Sequence, residues 1–258
     1  ASPSVESGSR ITYPANAMVN RSPAASIACA PSIVLAHRSN DNESYPAQVM
    51  VQAGTHPDWW EQAKVELCNS DSALAKVIVD REEPTLISRG DLFATLVKSI
   101  VGQQISTKAA AAIWERLCDL VDPMTDESIL LRTHEELRLV GLSNRKAEYI
   151  VGIAQAWKDG LHALDWGSMS DEEILEKLIA LRGVGRWTAE MILIFSLLRP
   201  DVFPIDDIGV VRGMERVYNS RETLSKPQLN AIAEKWRPYR TLGSWYMWRA
   251  IDPEPIEY

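Results

Sequence analysis

The stretch LRGVGRWTAEMILIFSLLRPDVFPIDDIGVVRG, residues 181–213, places a glycine-containing turn one long apolar helix ahead of two adjacent aspartates. Gly183 and Gly185 permit a tight turn in which the backbone comes close to whatever it meets. The turn leads into a helix N-terminus at Arg186, where unpaired N–H groups and the helix dipole favour an anion such as a backbone phosphate. Taken alone, a G-x-G turn between two helices is also explained as a plain tight corner.

The aspartate pair follows a proline-containing loop, in the sequence FPIDDIG. Either Asp206 or Asp207 can cap the helix predicted to begin there, because a carboxylate accepts hydrogen bonds from the first free N–H groups of a helix. One carboxylate is enough for that purpose. The second one therefore requires another role.

Outside this stretch, apolar residues recur at helical spacing from Thr55 onward. No alternating strand pattern persists, and no Asn-Gly or Asp-Gly hairpin signal occurs. The pattern predicts an all-α protein of roughly ten short helices, with a capping box at Ser170 and Glu173 and a stop at Gly141. Helix starts are predicted at Asp58, Asp71, Asp91, Ser106, Thr133, Ser143, Ser170, Gly185, Asp206, Ser225 and Pro238.

Composition limits the function classes. The 258 residues are 46% hydrophobic and carry a net charge of −8, which argues mildly against indiscriminate binding to nucleic acid. The three cysteines are too few for a four-cysteine iron–sulfur cluster and form no disulfide framework, so we expect a reducing compartment. The four histidines show no metal-binding spacing, and no run of eighteen apolar residues predicts a transmembrane helix.

Residues 1–50 differ from the remainder, being rich in Ser, Ala, Pro and Asn without a sustained period. We expect a disordered segment, or sequence upstream of a true start near Met50, ahead of one domain at 51–258. The alternative interpretation is a poor secretion signal or an Arg/Ser-rich organellar leader.

Three segments together resemble the helix-hairpin-helix (HhH-GPD) DNA glycosylase superfamily. They are LVKSIVGQQISTKAAAAIWERL (96–117), GLSNRKAEYIVGIA (141–154) and residues 181–213. Within the superfamily, the chain is most similar to the 3-methyladenine DNA glycosylase II group, and the resemblance covers about residues 55–252. It implies two helical subdomains, a lesion-binding cleft between them and the hairpin at its mouth, without the N-terminal β-rich domain of larger relatives.

The resemblance assigns Asp207 as the catalytic carboxylate and leaves Asp206 as a helix cap or loop support. A fixed carboxylate beside C1′ stabilises the oxocarbenium-like sugar that forms when an N-glycosidic bond breaks, and it can orient or deprotonate water. Bifunctional members carry a lysine where this chain has Trp187, and that lysine forms a Schiff base with the sugar. We therefore expect a monofunctional enzyme without AP-lyase activity.

The base pocket implied by the resemblance contains Trp187, Trp248, Met191 and Gln104. Aromatic faces attract the cationic rings of purines alkylated at N3 or N7, and such purines already leave readily. Met191 stands where relatives carry an aromatic ring, which puts the substrate range in doubt. The alternatives are that the tryptophans only fill the core and that Gln103 and Gln104 only end a helix.

The matching DNA contacts are Gly183, Val184, Gly185, Arg186, Thr188, Leu142 and Ser143. Leu142 is the best match to a wedge that enters the gap left by base flipping, or it is simply a buried leucine after Gly141. Arg186, Arg212, Lys108, Arg145 and Lys146 are expected to form a local basic face. In the family the hairpin also binds a monovalent cation through carbonyls, here those of Ile179, Leu181 and Val184; no other cofactor is expected.

The expected activity is removal of alkylated purines of the 3-methyladenine or 7-methylguanine type from double-stranded DNA in base excision repair. The expected protein is a monomer that acts in the cytoplasm on nucleoid DNA of a bacterium, without a membrane role. Two alternatives stay open: a glycosylase for deaminated or mismatched bases, and a non-catalytic helix-hairpin-helix module that only binds DNA.

Overall fold

The computed structural model describes residues 52–81 and 85–251, and this part of the chain consists of helices and loops without a β-strand. The expected N-terminal segment, residues 1–50, lies outside the described residues. The first six helices are α1 (Trp60–Ser70), α2 (Ser72–Asp80), α3 (Leu92–Gly102), α4 (Thr107–Leu120), α5 (Asp126–Leu130) and α6 (His134–Leu139). The next six are α7 (Asn144–Lys158), α8 (Asp171–Ile179), α9 (Arg186–Phe195), α10 (Ile208–Tyr218), α11 (Lys226–Ala233) and α12 (Arg240–Ile251), with 3-10 turns at Leu161–Ala163 and Glu234–Trp236.

The all-α prediction is confirmed, and most predicted helix starts are correct because capping is local chemistry. The side chains of Asp71, Asp91, Ser106 and Ser143 each accept a hydrogen bond from a backbone N–H in the first turn of the following helix. Capping boxes close the starts of α6, α8 and α11.

Three predicted starts are wrong. Asp58 does not cap α1, which follows Trp59 without a side-chain bond. The helix expected from Pro238 begins only at Arg240, whose backbone N–H and guanidinium both bond to the carboxylate of Asp201 from a distant loop. The helix expected from Asp206 begins at Ile208, and Asp207 caps it.

The helices pack in two groups that share one apolar core. In the first group, α10 lies against α12, and both contact α2, while α1 packs on α2 and α12. In the second group, α7 packs on α3, α5 and α6, and α9 packs on α3 and α8. Because α9 belongs to one group and α10 to the other, the loop between them crosses from group to group at the aspartate pair.

In the first group, a set of buried hydrogen bonds connects the start of α2 to the end of α10. The Asp71 side chain caps α2 and also accepts a hydrogen bond from the Tyr218 hydroxyl, at 2.8 Å, at the end of α10. The indole of Trp236 donates to the same oxygen at 3.3 Å. Burial and the Asp71 charge raise the pKa of Tyr218 far above its ordinary value, so the phenol stays a proton donor. The start of α2 is thereby fastened to the end of α10.

Candidate active site at Asp207

The hairpin turn joins the end of α8 to the start of α9. Gly183 has a φ of +93°, and a Cβ there would enter the ring of Tyr149, so this position needs glycine. Gly185 has an ordinary extended backbone with open space around it, so its glycine is not required in this way. The side-chain amide of Gln103, at the end of α3, donates to the Gly183 carbonyl at 3.0 Å and fixes the turn.

Residues expected to contact DNA are exposed to different degrees. Arg186 is 65% exposed at the first position of α9, and Ser143 is exposed while it caps α7. Val184 and Thr188 are buried, so their side chains do not lie at the surface. Leu142 is only 4% exposed and belongs to the core. The structure therefore favours the buried-leucine interpretation of Leu142 over the wedge.

The expected basic residues also separate into two kinds. Arg145, Arg212 and Lys108 are exposed. Lys146 is half-buried and donates to the Val101 carbonyl at 2.8 Å, and its burial lowers the pKa of the ammonium group. Lys146 therefore provides a hydrogen bond to a carbonyl in the last turn of α3 and is not a free charge at the surface.

Asp207 is the centre of the candidate site. Its Oδ1 accepts hydrogen bonds from the Val210 backbone N–H and from the Trp248 indole, both at 2.8 Å. Its Oδ2 accepts from the Trp187 indole at 2.7 Å. Three donors from three different helices thus hold a carboxylate that is only 4% exposed. These three hydrogen bonds fix the orientation of the carboxylate.

Asp206 has a different environment, which corrects the division of roles expected for the pair. Its side chain is exposed, and it makes an ion pair with Lys226 at 2.5 Å. Asp207, and not Asp206, caps α10, so one carboxylate both starts the helix and faces the two indoles. A helix begins where its backbone begins to turn, and FPIDDIG does not reveal which aspartate occupies that position.

The two tryptophans assigned to the pocket meet at Asp207, whereas Gln104 does not join them. Trp187 is half-buried. Trp248 is 1% exposed, and Phe195 stacks on it with ring centroids 5.8 Å apart. Met191 is buried, while Gln104 is exposed with a φ of +58° in the loop after α3. The pocket roles of these four residues stay predictions.

Gly209 explains how the Trp248 indole reaches Asp207. A Cβ at Gly209 would lie 2.7 Å from Cδ1 and 3.0 Å from Nε1 of Trp248, and 3.1 Å from Oδ1 of Asp207. Distances this short exclude a side chain unless the indole moves. Gly209 is not among the residues predicted for the site, although a glycine in the first turn of a helix, just after an aspartate, is a usable signal.

A second carboxyl near the site, Glu190, was also missed. It is 5% exposed on α9, one turn after Trp187, and accepts a hydrogen bond from Arg186 Nε at 2.9 Å. Burial raises the pKa of Glu190; the Arg186 charge opposes that shift, and the charges of Asp206 and Asp207 add to it. The available signal was an acidic residue directly before the apolar run MILIF. A charged side chain that is buried beside such a run needs a partner.

In the part of the chain that the structure describes, no group of three or more His, Cys, Asp or Glu side chains is arranged so that it could bind a metal ion. Nor, within those ranges, is any helix both long and apolar enough to cross a bilayer. The carbonyl of Leu181 accepts the Val184 N–H at 3.0 Å inside the turn. A carbonyl oxygen has two lone pairs, so the Leu181 carbonyl can accept this hydrogen bond and still bind a cation.

The turn, helix α9 and the aspartate that caps α10 together indicate a helix-hairpin-helix repair fold, and comparison with known proteins agrees. The family described as "HhH-GPD superfamily base excision DNA repair protein" matches residues 97–238. The chain belongs to this superfamily.

Among its relatives, DNA-3-methyladenine glycosylase 1 of Schizosaccharomyces pombe is 31% identical over 196 residues, which are 73% of this chain and 86% of that protein. A solved structure of a DNA-3-methyladenine glycosidase from Bacillus halodurans is 36% identical with a TM-score of 0.67, covering 73% of this chain and 88% of that one. A 3-methyladenine DNA glycosylase of Schizosaccharomyces pombe in complex with abasic DNA has a TM-score of 0.63 and 30% identity, covering 73% and 95% of the two chains.

Proposed function

We propose that this protein is a monofunctional DNA glycosylase that hydrolyses the N-glycosidic bond of alkylated purines, of the 3-methyladenine and 7-methylguanine type, in double-stranded DNA. The observation that carries the proposal is the buried Asp207 carboxylate, held by three N–H donors just beyond a hairpin turn of the repair superfamily. The relatives named for 3-methyladenine support the choice of substrate.

In the proposed reaction, the damaged nucleotide leaves the stack, which costs least for a damaged base. Asp207 then lies beside C1′, where its negative charge stabilises the positive charge that builds on the sugar as the base departs. The C1′–N bond breaks with its electron pair going to the cationic base, which leaves as a neutral molecule. Asp207 orients a water and accepts its proton as the oxygen adds at C1′, so the products are the free base and an abasic sugar. Asp207 needs no reorganisation for this, because its donors already fix it.

Absence of strand cleavage is part of the proposal. A lyase step needs an amine that attacks C1′ and keeps the sugar as a Schiff base. The side chain that bonds to Asp207 from the start of α9 is the indole of Trp187, which has no nucleophilic nitrogen. Water is therefore the proposed nucleophile.

The proposed substrate preference follows from charge and aromaticity. N3- and N7-alkylated purines carry a formal positive charge, so they are attracted to aromatic faces and to a region rich in carboxylates. Asp207 supplies a carboxylate, and the Trp187 and Trp248 indoles that bond to it supply aromatic rings beside it. A cationic base also leaves without strong acid assistance, which suits a site built around a carboxylate that three N–H donors hold in place.

Duplex DNA is the proposed partner, gripped through the hairpin turn, the N–H groups at the start of α9 and the exposed Arg186. We also propose a monovalent cation at the carbonyls of Ile179, Leu181 and Val184, where it would link backbone oxygens to a phosphate. We further propose that the protein is a monomer that acts on nucleoid DNA in the cytoplasm of a bacterium.

The test is release of 7-methylguanine and 3-methyladenine from methylated duplex DNA by the Asp207→Asn variant. Asparagine caps helices about as well as aspartate, so α10 should keep its start. We expect the release rate to fall at least about a hundredfold with duplex binding retained, since a charge-stabilising group is lost. Asp206→Asn, which removes the exposed neighbouring charge, is the matched control and should keep wild-type activity.

Two outcomes would count against the proposal. Full activity in Asp207→Asn would refute the role of this carboxylate. DNA binding by the wild-type protein without release of any base, across duplexes with alkylated, deaminated and mismatched bases, would favour a non-catalytic binding module. Strand nicking in the same panel would refute the monofunctional mechanism alone.

A further inference from the structure

Glu190 is a buried carboxyl whose ion-pair partner, Arg186, lies at the surface. The Glu190 side chain is 6% exposed and that of Arg186 is 65% exposed, with 2.9 Å between Oε1 and Nε. Burial and the nearby charges of Asp206 and Asp207 disfavour the charged form of Glu190, and Arg186 offsets them. Glu190 therefore depends on Arg186 more than an exposed carboxylate would.

Arg186 is also the hairpin cation best placed for a phosphate. It is the first residue of α9, directly after the turn, and no side chain caps this helix start. The first N–H groups of a helix have no acceptor within the helix. A guanidinium carries five N–H donors and prefers to bind phosphate through two of them. In the structure, the Nε–H donor is already occupied by Glu190.

Resting on the proposed function, we propose that Glu190 competes with the DNA backbone phosphate for Arg186 and so holds the affinity for DNA below the level that the hairpin would otherwise reach. The carboxylate neutralises the guanidinium, so a phosphate gains less from it. If the phosphate draws Arg186 away, a buried carboxyl loses its partner, which is costly. Glu190 thus acts through Arg186, as a positioning residue that favours release of DNA after each encounter.

The test compares Glu190→Gln with Glu148→Gln on a duplex that holds a stable abasic-site analogue, with dissociation constants from fluorescence anisotropy. Glu148 is the matched control, because it pairs with another hairpin cation, Arg182, at 3.4 Å but with both side chains exposed. We expect Glu190→Gln to bind roughly tenfold more tightly than the wild type. Glu148→Gln should change affinity by no more than about two- to threefold, as surface pairs do.

A double-mutant cycle separates competition for Arg186 from a general effect of charge. In an Arg186→Gln background, Glu190→Gln should leave the dissociation constant unchanged, because the group that it restrains is gone. Tighter binding in that background to the same extent as in the wild type would overturn the proposal. So would equal effects of Glu190→Gln and Glu148→Gln.

A measurement on the wild-type protein does not depend on whether Glu190→Gln folds. The Arg186 Nε–H resonance, assigned by its loss in Arg186→Gln, should shift when the same duplex is added, because its acceptor changes from carboxylate to phosphate. An unmoved resonance at saturating DNA would overturn the competition. Failure of the wild-type protein to bind any duplex would instead refute the proposed function.

Discussion

Replacing Trp248 by phenylalanine tests whether this residue acts on Asp207 or on the base. The substitution keeps an aromatic ring but removes the Nε1–H that donates to Asp207 Oδ1 at 2.8 Å. Oδ1 then keeps only the Val210 N–H, and Oδ2 keeps Trp187. A hydrogen bond to a charged group is worth about 1.5–3 kcal/mol. At about 1.4 kcal/mol for each factor of ten in rate, the chemical step should slow between about tenfold and 150-fold.

Single-turnover release of 7-methylguanine measures this step, and a duplex with hypoxanthine supplies a neutral base for comparison. If Trp248 positions Asp207, both rates should fall by the same factor, since the sugar cation is common to both reactions. Trp166→Phe is the control: its indole is similarly buried, but it donates to the Leu161 carbonyl and not to Asp207. An unchanged rate in a folded Trp248→Phe variant would refute the positioning role. A loss confined to one lesion would show that the ring contacts the base.

Three further predictions concern groups around the site. Gly209→Ala should lower base release at least about tenfold by displacing the Trp248 indole. Its melting temperature should fall less than that of Gly183→Ala, because the better helix propensity of alanine, about 1 kcal/mol, offsets part of the cost of moving the indole. Gly183→Ala should lower duplex affinity and melting temperature together, since its φ and the Tyr149 ring both exclude a Cβ. Glu190→Gln should raise the melting temperature more at neutral pH than in mild acid. The pKa of Glu190 is raised in the folded protein, so the wild type loses stability as pH rises from the ordinary glutamate range through the raised value.

Helix starts could be predicted from the sequence wherever a single side chain decides them. Ser170 and Glu173 close a capping box within one turn, and the structure contains it. Asp71 was predicted as a cap for the same local reason. Its bonds to Tyr218 and Trp236 could not be predicted, because those residues lie 147 and 165 positions away.

The candidate site was predictable in composition but not in arrangement. The spacing of the turn and the aspartate pair indicated where the site lies, and the resemblance assigned Asp207 as the catalytic carboxylate and Trp187 and Trp248 to the pocket. That both indoles bond to this carboxylate depends on how α9, α10 and α12 pack, which no local pattern contains. Leu142 illustrates the same limit, since a leucine after a helix stop is exposed or buried according to its neighbours, and here it is buried.

The close packing of α10 on α12 has a consequence for how the site would respond to strain. Gly213 lies so near the Met247 carbonyl that a Cβ there would overlap it, so the two helices are in backbone contact. Asp207 and Trp248 sit on this joined pair, whereas Trp187 belongs to α9 in the other helix group. If the groups separate to admit a nucleotide, the bond from Trp248 travels with Asp207, and the bond from Trp187 is the one that stretches. The Trp248 indole thus stays bonded to the carboxylate when the groups separate, whereas the Trp187 indole changes its environment, and tryptophan fluorescence would report that change.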